Sequence, residues 1–394
     1  MTVAKKHKVI KMKIHLFNPE NDLALGLGCR NYTPPPHAAA IHRAGALLPM
    51  WWAEDKDLII APVSMKDEAE KLRERFGLRG SVTDINGFQA ADSTQRHDNE
   101  NRQAAPWGWS LDAKRQFERA QFTSNLPTDT EIELLRQLSH RRSSIHILKR
   151  LDYPSTSIPF ETTNAHEAIE FERQKPGCFI KSPWSGSGRG VFCAKSLDEK
   201  ALLRRVEGII HRQGSVIIEP GLNKILDFAA LFYCRKQSNA PKNGNSKPVE
   251  FKGFSIFKAE DRGMYSGNIA APQGWLQTEL SRYVDITDLI EIIEREERIL
   301  GELTGNTYEG WLGVDMMIHD DNGKIKVMPC IELNLRMTMG VVAMNVCEHL
   351  GLKTPHFLAW EHSGNCWNDT NDGTVLLPPT DGFKLKLSPS TGLF

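Results

Sequence analysis

Apolar positions are most regular between Asp285 and Leu303, where Ile286, Ile290, Ile293, Leu300 and Leu303 recur at helical spacing on one face. The spacing predicts an amphipathic helix whose glutamates and arginines form the solvated face. Strand-like runs flank it: Ile225 to Cys234 and Glu250 to Phe257 before it, WLGVDMMIH and KIKVMPCIELNL after it. Nearer the N-terminus, Lys13 to Phe17 and Asp57 to Val63 read as strands. A helix in NYTPPPHAAAIHRAGALL separates them, and a charged amphipathic helix, Ser64 to Phe76, follows. This β-α-β-α rhythm predicts a small parallel sheet.

The polar stretch from Asp92 to Ala105 predicts a loop, and PWGWS, Pro106 to Ser110, opens a run of helices. Those helices cover Thr128 to Leu138, Ser143 to Leu151 and Ala165 to Gln174. Packing is the commoner role for a pair such as Trp107 and Trp109. Next comes FIKSPWSGSGRGV: a strand ending in Lys181, a glycine- and serine-rich loop, then a second apolar run through Val191 and Phe192. Ser196-Leu-Asp-Glu199 has the capping-box pattern and starts a helix through about His211. SVIIEP is a strand ending at Glu219, and QSNAPKNGNSKP a polar connector between strands. Beyond Gly340 a helix runs to about Leu350, before a Gly/Pro/Asn-rich tail with little signal.

Composition narrows the function classes. Lys+Arg and Asp+Glu both count 49 in 394 residues, so no global basic field points to nucleic acid. No apolar run reaches the roughly 18 residues of a membrane span. The segment MTVAKKHKVIKMKIHLF lacks the long apolar core and cleavage site of a secretory signal, and the residues before Met12 read as either a tail or an upstream start. Seven scattered cysteines without a CxxC pair indicate neither a zinc ribbon nor a disulfide framework. They fit a reducing, cytoplasmic setting.

Three groups of residues carry candidate chemistry. Lys181 followed by Ser185, Gly186, Ser187, Gly188 and Gly190 can cradle phosphate, because glycine lets backbone N–H groups approach an anion while a lysine adds charge. Asp315 sits between Val314 and Met316 in an apolar strand, where a carboxylate is costly unless it meets a cation. Glu332 and Asn334 are two apart and so share a face of the next strand, with Arg336 extending that face. Three oxygen-bearing side chains on adjacent antiparallel strands suit Mg²⁺. Each alternative is plain: a tight hairpin with a surface lysine, or a strand acid paired with a nearby base. Finally Asn18, Glu20, Asn21 and Asp22 crowd the C-terminal end of the first strand, where open α/β sheets contact ligands. Asparagine and aspartate also favour such turns for local reasons.

The ordered set of phosphate lysine, Gly-rich loop, Glu219, Asp227, Asp315 and Glu332-x-Asn334-x-Arg336 resembles the ATP-grasp superfamily, the ATP-dependent carboxylate–amine ligases and their relatives. The resemblance covers roughly Ser139 to Gly340. It implies an α/β and α+β chain in which a small N-terminal parallel-sheet domain (1–126) precedes an ATP-grasp domain (127–350). ATP would be held between two sheet-containing subdomains of that domain, with 351–394 as a C-terminal extension. By the same resemblance Lys181 and Arg141 would meet ATP phosphates, Ser185 to Gly190 would form a lid, and Glu219 to Leu222 the adenine hinge. Asp227 would bind ribose, and Asp315, Glu332 and Asn334 would hold Mg²⁺. Arg336, placed as in biotin carboxylase, would serve catalysis; Gly313 stands where D-alanine–D-alanine ligases carry an arginine. The implied activity is a ligase that activates a carboxylate as an acyl phosphate for an amine or similar nucleophile. A phosphotransferase on the same scaffold and a non-catalytic nucleotide-binding module are the alternatives. Small-molecule or peptide carboxylates and amines would be the partners, homo-oligomerisation stays open, and Asn18, Glu20, Asn21 and Asp22 would contact the acceptor.

Overall fold

The computed structural model describes residues 12–85, 102–122, 125–186, 188, 190–236, 247–260, 264–305, 307–362 and 372–390. Three sheets organise them. The first comprises β1 (Met12–Leu16), β2 (Leu58–Ile60), β3 (Ser81–Thr83) and β4 (Arg102–Pro106), all parallel, in the order β3-β2-β1-β4. Two of these strands depart from the sequence reading. Ser81–Thr83 has too short an apolar signal to stand out. Arg102–Pro106 falls inside the expected loop but pairs along the whole of β1, because backbone hydrogen bonds to a neighbour need no apolar side chains of their own. The remainder of that loop, with RHDNENRQ, lies outside the described residues.

A smaller antiparallel sheet holds β5 (Phe160–Thr162), β6 (Phe179–Lys181), β7 (Val191–Cys193) and β8 (Val216–Glu219) in the order β5-β8-β6-β7. Helices Ala165–Gln174 and Glu199–Gln213 cover it, and Ile180, Ile218 and Val206 are wholly buried between the layers. The cap of the second helix is Asp198, whose side chain accepts from the Ala201 amide, not Ser196. Ser196 Oγ instead donates to the Cys193 carbonyl at 2.7 Å, a short-range bond that competes with capping.

The largest sheet runs β13-β12-β9-β10-β11-β14-β16-β15. It contains β9 (Asn223–Cys234), β10 (Val249–Ala259), β11 (Tyr265–Ala270), β12 (Gly310–Asp321) and β13 (Lys324–Asn334), joined by β14 (His356–His362), β15 (Thr374–Val375) and β16 (Phe383–Pro389). From Phe228 to Cys234 strand β9 reads as an unbroken apolar run because both faces there are covered. Phe228, Ala230 and Phe232 pack toward helix Ile286–Thr304, while Ala229 and Leu231 pack in the cluster containing helix Met339–Leu350. Tail residues with little sequence signal thus complete this sheet: Leu358, Leu385 and Leu387 are buried. The 237–246 part of the polar connector lies outside the described residues.

Helix Ile286–Thr304 corrects one expectation. Its charged residues are not all solvated: Glu296 is wholly buried and Glu297 nearly so. Glu297 accepts the Phe251 amide at 2.7 Å and pairs with Lys247. Neither oxygen of Glu296 has a hydrogen-bond partner among the described residues. The apolar stripe is wider than five positions because the helix lies across β9 and β10 rather than at a sheet edge.

Candidate active site

The acids of the last two long strands meet as their spacing requires. In the β12–β13 ladder Asp315 faces Glu332 and Gly313 faces Asn334, so all three oxygen-bearing side chains share one face of the sheet. Leu312, Val314 and Leu333 point the other way into the core. Burial pushes Asp315 up to about 7; the charge of Glu332 pushes the same way, while Arg336 and a hydrogen bond from Asn334 pull it down. Among the described residues no three His, Cys, Asp or Glu side chains gather as a metal cluster. Two carboxylates and one amide oxygen are nonetheless a hard-donor set that fits Mg²⁺, and a cation would relieve the repulsion raising Asp315.

Cations arrive from three directions. Nη2 of Arg141 lies 2.9 and 3.0 Å from the two oxygens of Glu332. Its Nη1 donates to the Ser182 carbonyl at 2.6 Å and to Ser185 Oγ at 2.7 Å. One guanidinium therefore ties the start of the Gly-rich loop to the floor of the large sheet. In that loop a Cβ on Gly190 would sit 2.4 Å from the Cβ of Ser185, and Gly188 has φ +74°, so neither position takes a side chain without strain. Ser187 lies outside the described residues; Gly186 is described.

Lys181 is not the exposed lysine its place before a polar loop suggests. It is 6% exposed and its Nζ pairs with Glu219 Oε2 at 2.5 Å. Register explains the contact: Lys181 faces Ile217 on β8, and Glu219 is the next residue of that strand on the same face. The Glu219 side chain is thus committed to Lys181, and Leu222 packs partly buried against the core of the large sheet. Asp227 faces Met317 across β9 and β12, two positions along from the Ala229–Asp315 pair, so it shares the acidic face. Burial pushes its carboxyl up, against the pull of Lys224, 2.8 Å away, and of Lys181. Lys224 and Ser182 are participants that sequence reasoning passed over; a lysine three residues before an acid was the available signal for the first.

Arg336 closes the other side. Its Nε and Nη2 lie 2.8 and 2.7 Å from Asp22 Oδ2, and Nη2 also donates to Asn334 Oδ1 at 2.8 Å. The N-terminal quartet consequently divides. Asp22 reaches the cleft. Asn18 exchanges hydrogen bonds with the backbone of Gly108, at 2.8 and 3.3 Å. Asn21, 1% exposed, has its amide nitrogen placed to donate to the carbonyls of Gly108 and Trp109. These two amides bracket the loop after β4, and Gly108 is glycine because a Cβ would stand 2.5 Å from Asn21. Glu20 turns away toward His42 Nδ1 at 2.9 Å. Beside the cleft, burial and then the charges of Arg142, Arg136 and Arg141 push His140 down to about 3, so its ring is neutral where it packs edge-on against Trp184.

No protein-family model matches the sequence, and no curated protein matches it. Solved structures do resemble the fold. The chain aligns with N5-carboxyaminoimidazole synthetase from Staphylococcus aureus, complexed with ADP, at 11% identity and TM-score 0.52, covering 98% of this chain and 95% of that one. It aligns with biotin carboxylase from Campylobacter jejuni, in a β,γ-ATP complex, at 12% identity and TM-score 0.53, covering 97% and 88%. A pyruvate carboxylase variant from Rhizobium etli gives 13% identity and TM-score 0.53 over 96% of this chain and 36% of the other. At these identities the likeness is one of fold.

Proposed function

We propose that this chain, whose fold is that of the ATP-grasp superfamily, is an ATP-dependent ligase that activates a carboxylate as an acyl phosphate. The carrying observation is the acidic face of β9, β12 and β13, on which Arg141 pairs with Glu332, Arg336 bonds Asn334, and the charge of Lys181 bears on Asp227. In this reading Lys181 and Arg141 bind the ATP phosphates, exchanging their present partners Glu219 and Glu332 for phosphate oxygens. Ser185, Gly186, Ser187, Gly188 and Gly190 close over them, the Glu219–Leu222 segment meets adenine through its backbone, and Asp227 meets the ribose. Asp315, Glu332 and Asn334 would hold Mg²⁺, which when bound would supply Lewis-acid neutralisation of the transferring phosphoryl group. A substrate carboxylate oxygen attacks the γ-phosphorus, and the bond to ADP breaks. Arg336 stabilises negative charge on the acyl phosphate. An amine or similar nucleophile then attacks the acyl carbon, loses a proton and expels phosphate, while the closed loop excludes water.

Partners in this proposal are small-molecule or peptide carboxylates and amines in the cytoplasm. No helix among the described residues is long and apolar enough to cross a membrane. The test is hydroxylamine trapping with ATP, Mg²⁺ and pooled carboxylates. A ligase of this kind yields ADP and a hydroxamate. Phosphate retained as an ester on an alcohol would instead establish a phosphotransferase.

A further inference from the structure

Of the N-terminal quartet only Asp22 reaches the cleft, and its carboxylate is half engaged. Nε and Nη2 of Arg336 both meet the same oxygen, Oδ2, at 2.8 and 2.7 Å. The other oxygen, Oδ1, has no hydrogen-bond partner among the described residues. It is also accessible: the Asp22 side chain is 13% exposed, and Oδ1 is not among the buried unpartnered atoms, as Oε2 of Glu20 is. Arginine–carboxylate pairs frequently use both oxygens of the acid. This one uses a single oxygen and leaves the second free.

The other acids of the cleft are committed. Both oxygens of Glu332 meet Arg141, Glu219 holds Lys181, and Asp227 holds Lys224. Asp315 lies opposite Glu332 in the proposed metal set. His140 is 2% exposed and has both ring nitrogens against Arg142.

Two contacts fix where Asp22 can act. Through Arg336 it adjoins the group assigned to the negative charge of the acyl phosphate. It also lies beside the Gly-rich loop, since a Cβ on Gly186 would stand 3.9 Å from Asp22 Oδ2. Asp22 is carried by the helix Asn21–Leu27, not by the strands proposed to hold ribose and metal.

We infer that Asp22 is the base that takes the proton of the attacking nucleophile. The inference rests on the ligase reading and supplies the proton acceptor that reading leaves unassigned. The nitrogen lone pair forms a bond to the acyl carbon, the carbon–oxygen bond to phosphate breaks, and phosphate leaves with that electron pair. The proton on nitrogen passes to Asp22 Oδ1, and then to solvent when the loop opens. A carboxylate suffices, because a nitrogen that has added to an acyl carbon carries positive charge and parts with its proton readily. Oδ2 meanwhile keeps Arg336 aimed at the acyl phosphate.

The test reads the two chemical steps apart in the full chain. The first is followed without nucleophile, as migration of a heavy-oxygen label between bridge and non-bridge positions of ATP, with Mg²⁺ and pooled carboxylates. The second is hydroxamate formation at millimolar hydroxylamine. Asp22→Asn still accepts from Arg336 but cannot take the proton. In it label migration should persist while hydroxamate formation falls about 100-fold. Asp22→Ser, smaller and equally unable to hold the proton, should behave alike, and Asp22→Glu, which keeps a carboxylate, should recover part of the loss. Calorimetric titration with a non-hydrolysable ATP analogue shows that each variant is folded. Hydroxamate formation equal to wild type in the Asn and Ser variants overturns the inference. So does parallel loss of both steps in folded variants, which would make Asp22 a holder of Arg336 alone. Wild type that migrates label but forms no hydroxamate removes this inference only, whereas wild type that does neither removes the ligase reading as well.

Discussion

Glu332 and Glu296 lie on opposite sides of the same eight-stranded sheet and have opposite surroundings. Glu332 lies on the cleft face, where Arg141 places one guanidinium nitrogen within 3.0 Å of each of its oxygens. Glu296 lies behind β9 and β10, wholly buried in the core, with neither oxygen partnered among the described residues. Burial pushes its carboxyl well above the ordinary range, so it is held neutral. The difference teaches how to read buried acids here. A carboxylate supplied with cations has a function that charge can serve, whereas one supplied with none is a cost to the fold.

The comparison breaks most visibly at Lys181 and Glu219, the other supplied pair of the cleft. Lys181→Ala leaves Glu219 buried without its cation and should destabilise the chain by about 3–5 kcal/mol, read by denaturant unfolding. Lys181→Met combined with Glu219→Gln should regain most of that loss while ATP affinity stays depressed. A single variant as stable as wild type would show that the pair is not desolvated. Next in size, Glu332→Gln keeps the shape but removes one charge, and should lower MgATP-dependent hydroxamate formation about 100-fold, or ~2.7 kcal/mol. Equal turnover in the two proteins would remove Glu332 from the metal set.

Glu296 sharpens the contrast from the other side. Glu296→Met exchanges an unsatisfied acid for an apolar side chain of similar length and should stabilise the fold by about 1–3 kcal/mol. The pH dependence has a definite sign. Folded Glu296 holds its proton to higher pH than the unfolded chain does, so its contribution is complete below the ordinary carboxylate range and is lost as pH rises above it. Wild type should therefore lose stability relative to Glu296→Gln as pH rises above a free glutamate's ordinary pKa. The smallest effect concerns Asp57, which burial pushes up but hydrogen bonds from His15 and the Glu54 and Lys13 amides hold below its usual value. Its contribution is present above the ordinary range and lost as pH falls through the folded value. Asp57→Asn should cost about 1 kcal/mol at neutral pH and progressively less in acid.

Much of the architecture was legible in the chain because it rests on local signals. Thr128 caps Asp129–Leu138 with a full capping box, Asp285 caps Ile286–Thr304, and Gly214 ends Glu199–Gln213 in the left-handed conformation. The acidic face of β12 and β13 was legible too, since alternation within a strand decides which residues share a side. Strand β4 escaped because RQAAP carries no periodicity; its neighbour β1 makes it a strand. Asp198 displaced Ser196 as a cap through a choice between two adjacent local patterns.

By itself the sequence determined the elements that carry strong local signals and which chemistry-bearing residues lie on which strand face, because periodicity and capping act over a few residues; β3, β4 and the tail strands β14 to β16 were not among them. Only the tertiary structure decided partners and burial. Arg141 meets Glu332 across 191 positions and Arg336 meets Asp22 across 314. The same packing sends Asp22 into the cleft but turns Glu20 toward His42, buries Lys181 beside Glu219, and encloses Glu296 with no hydrogen-bond partner among the described residues. Desolvation and ion pairing depend on what the rest of the chain brings alongside, and no short window of residues contains that information.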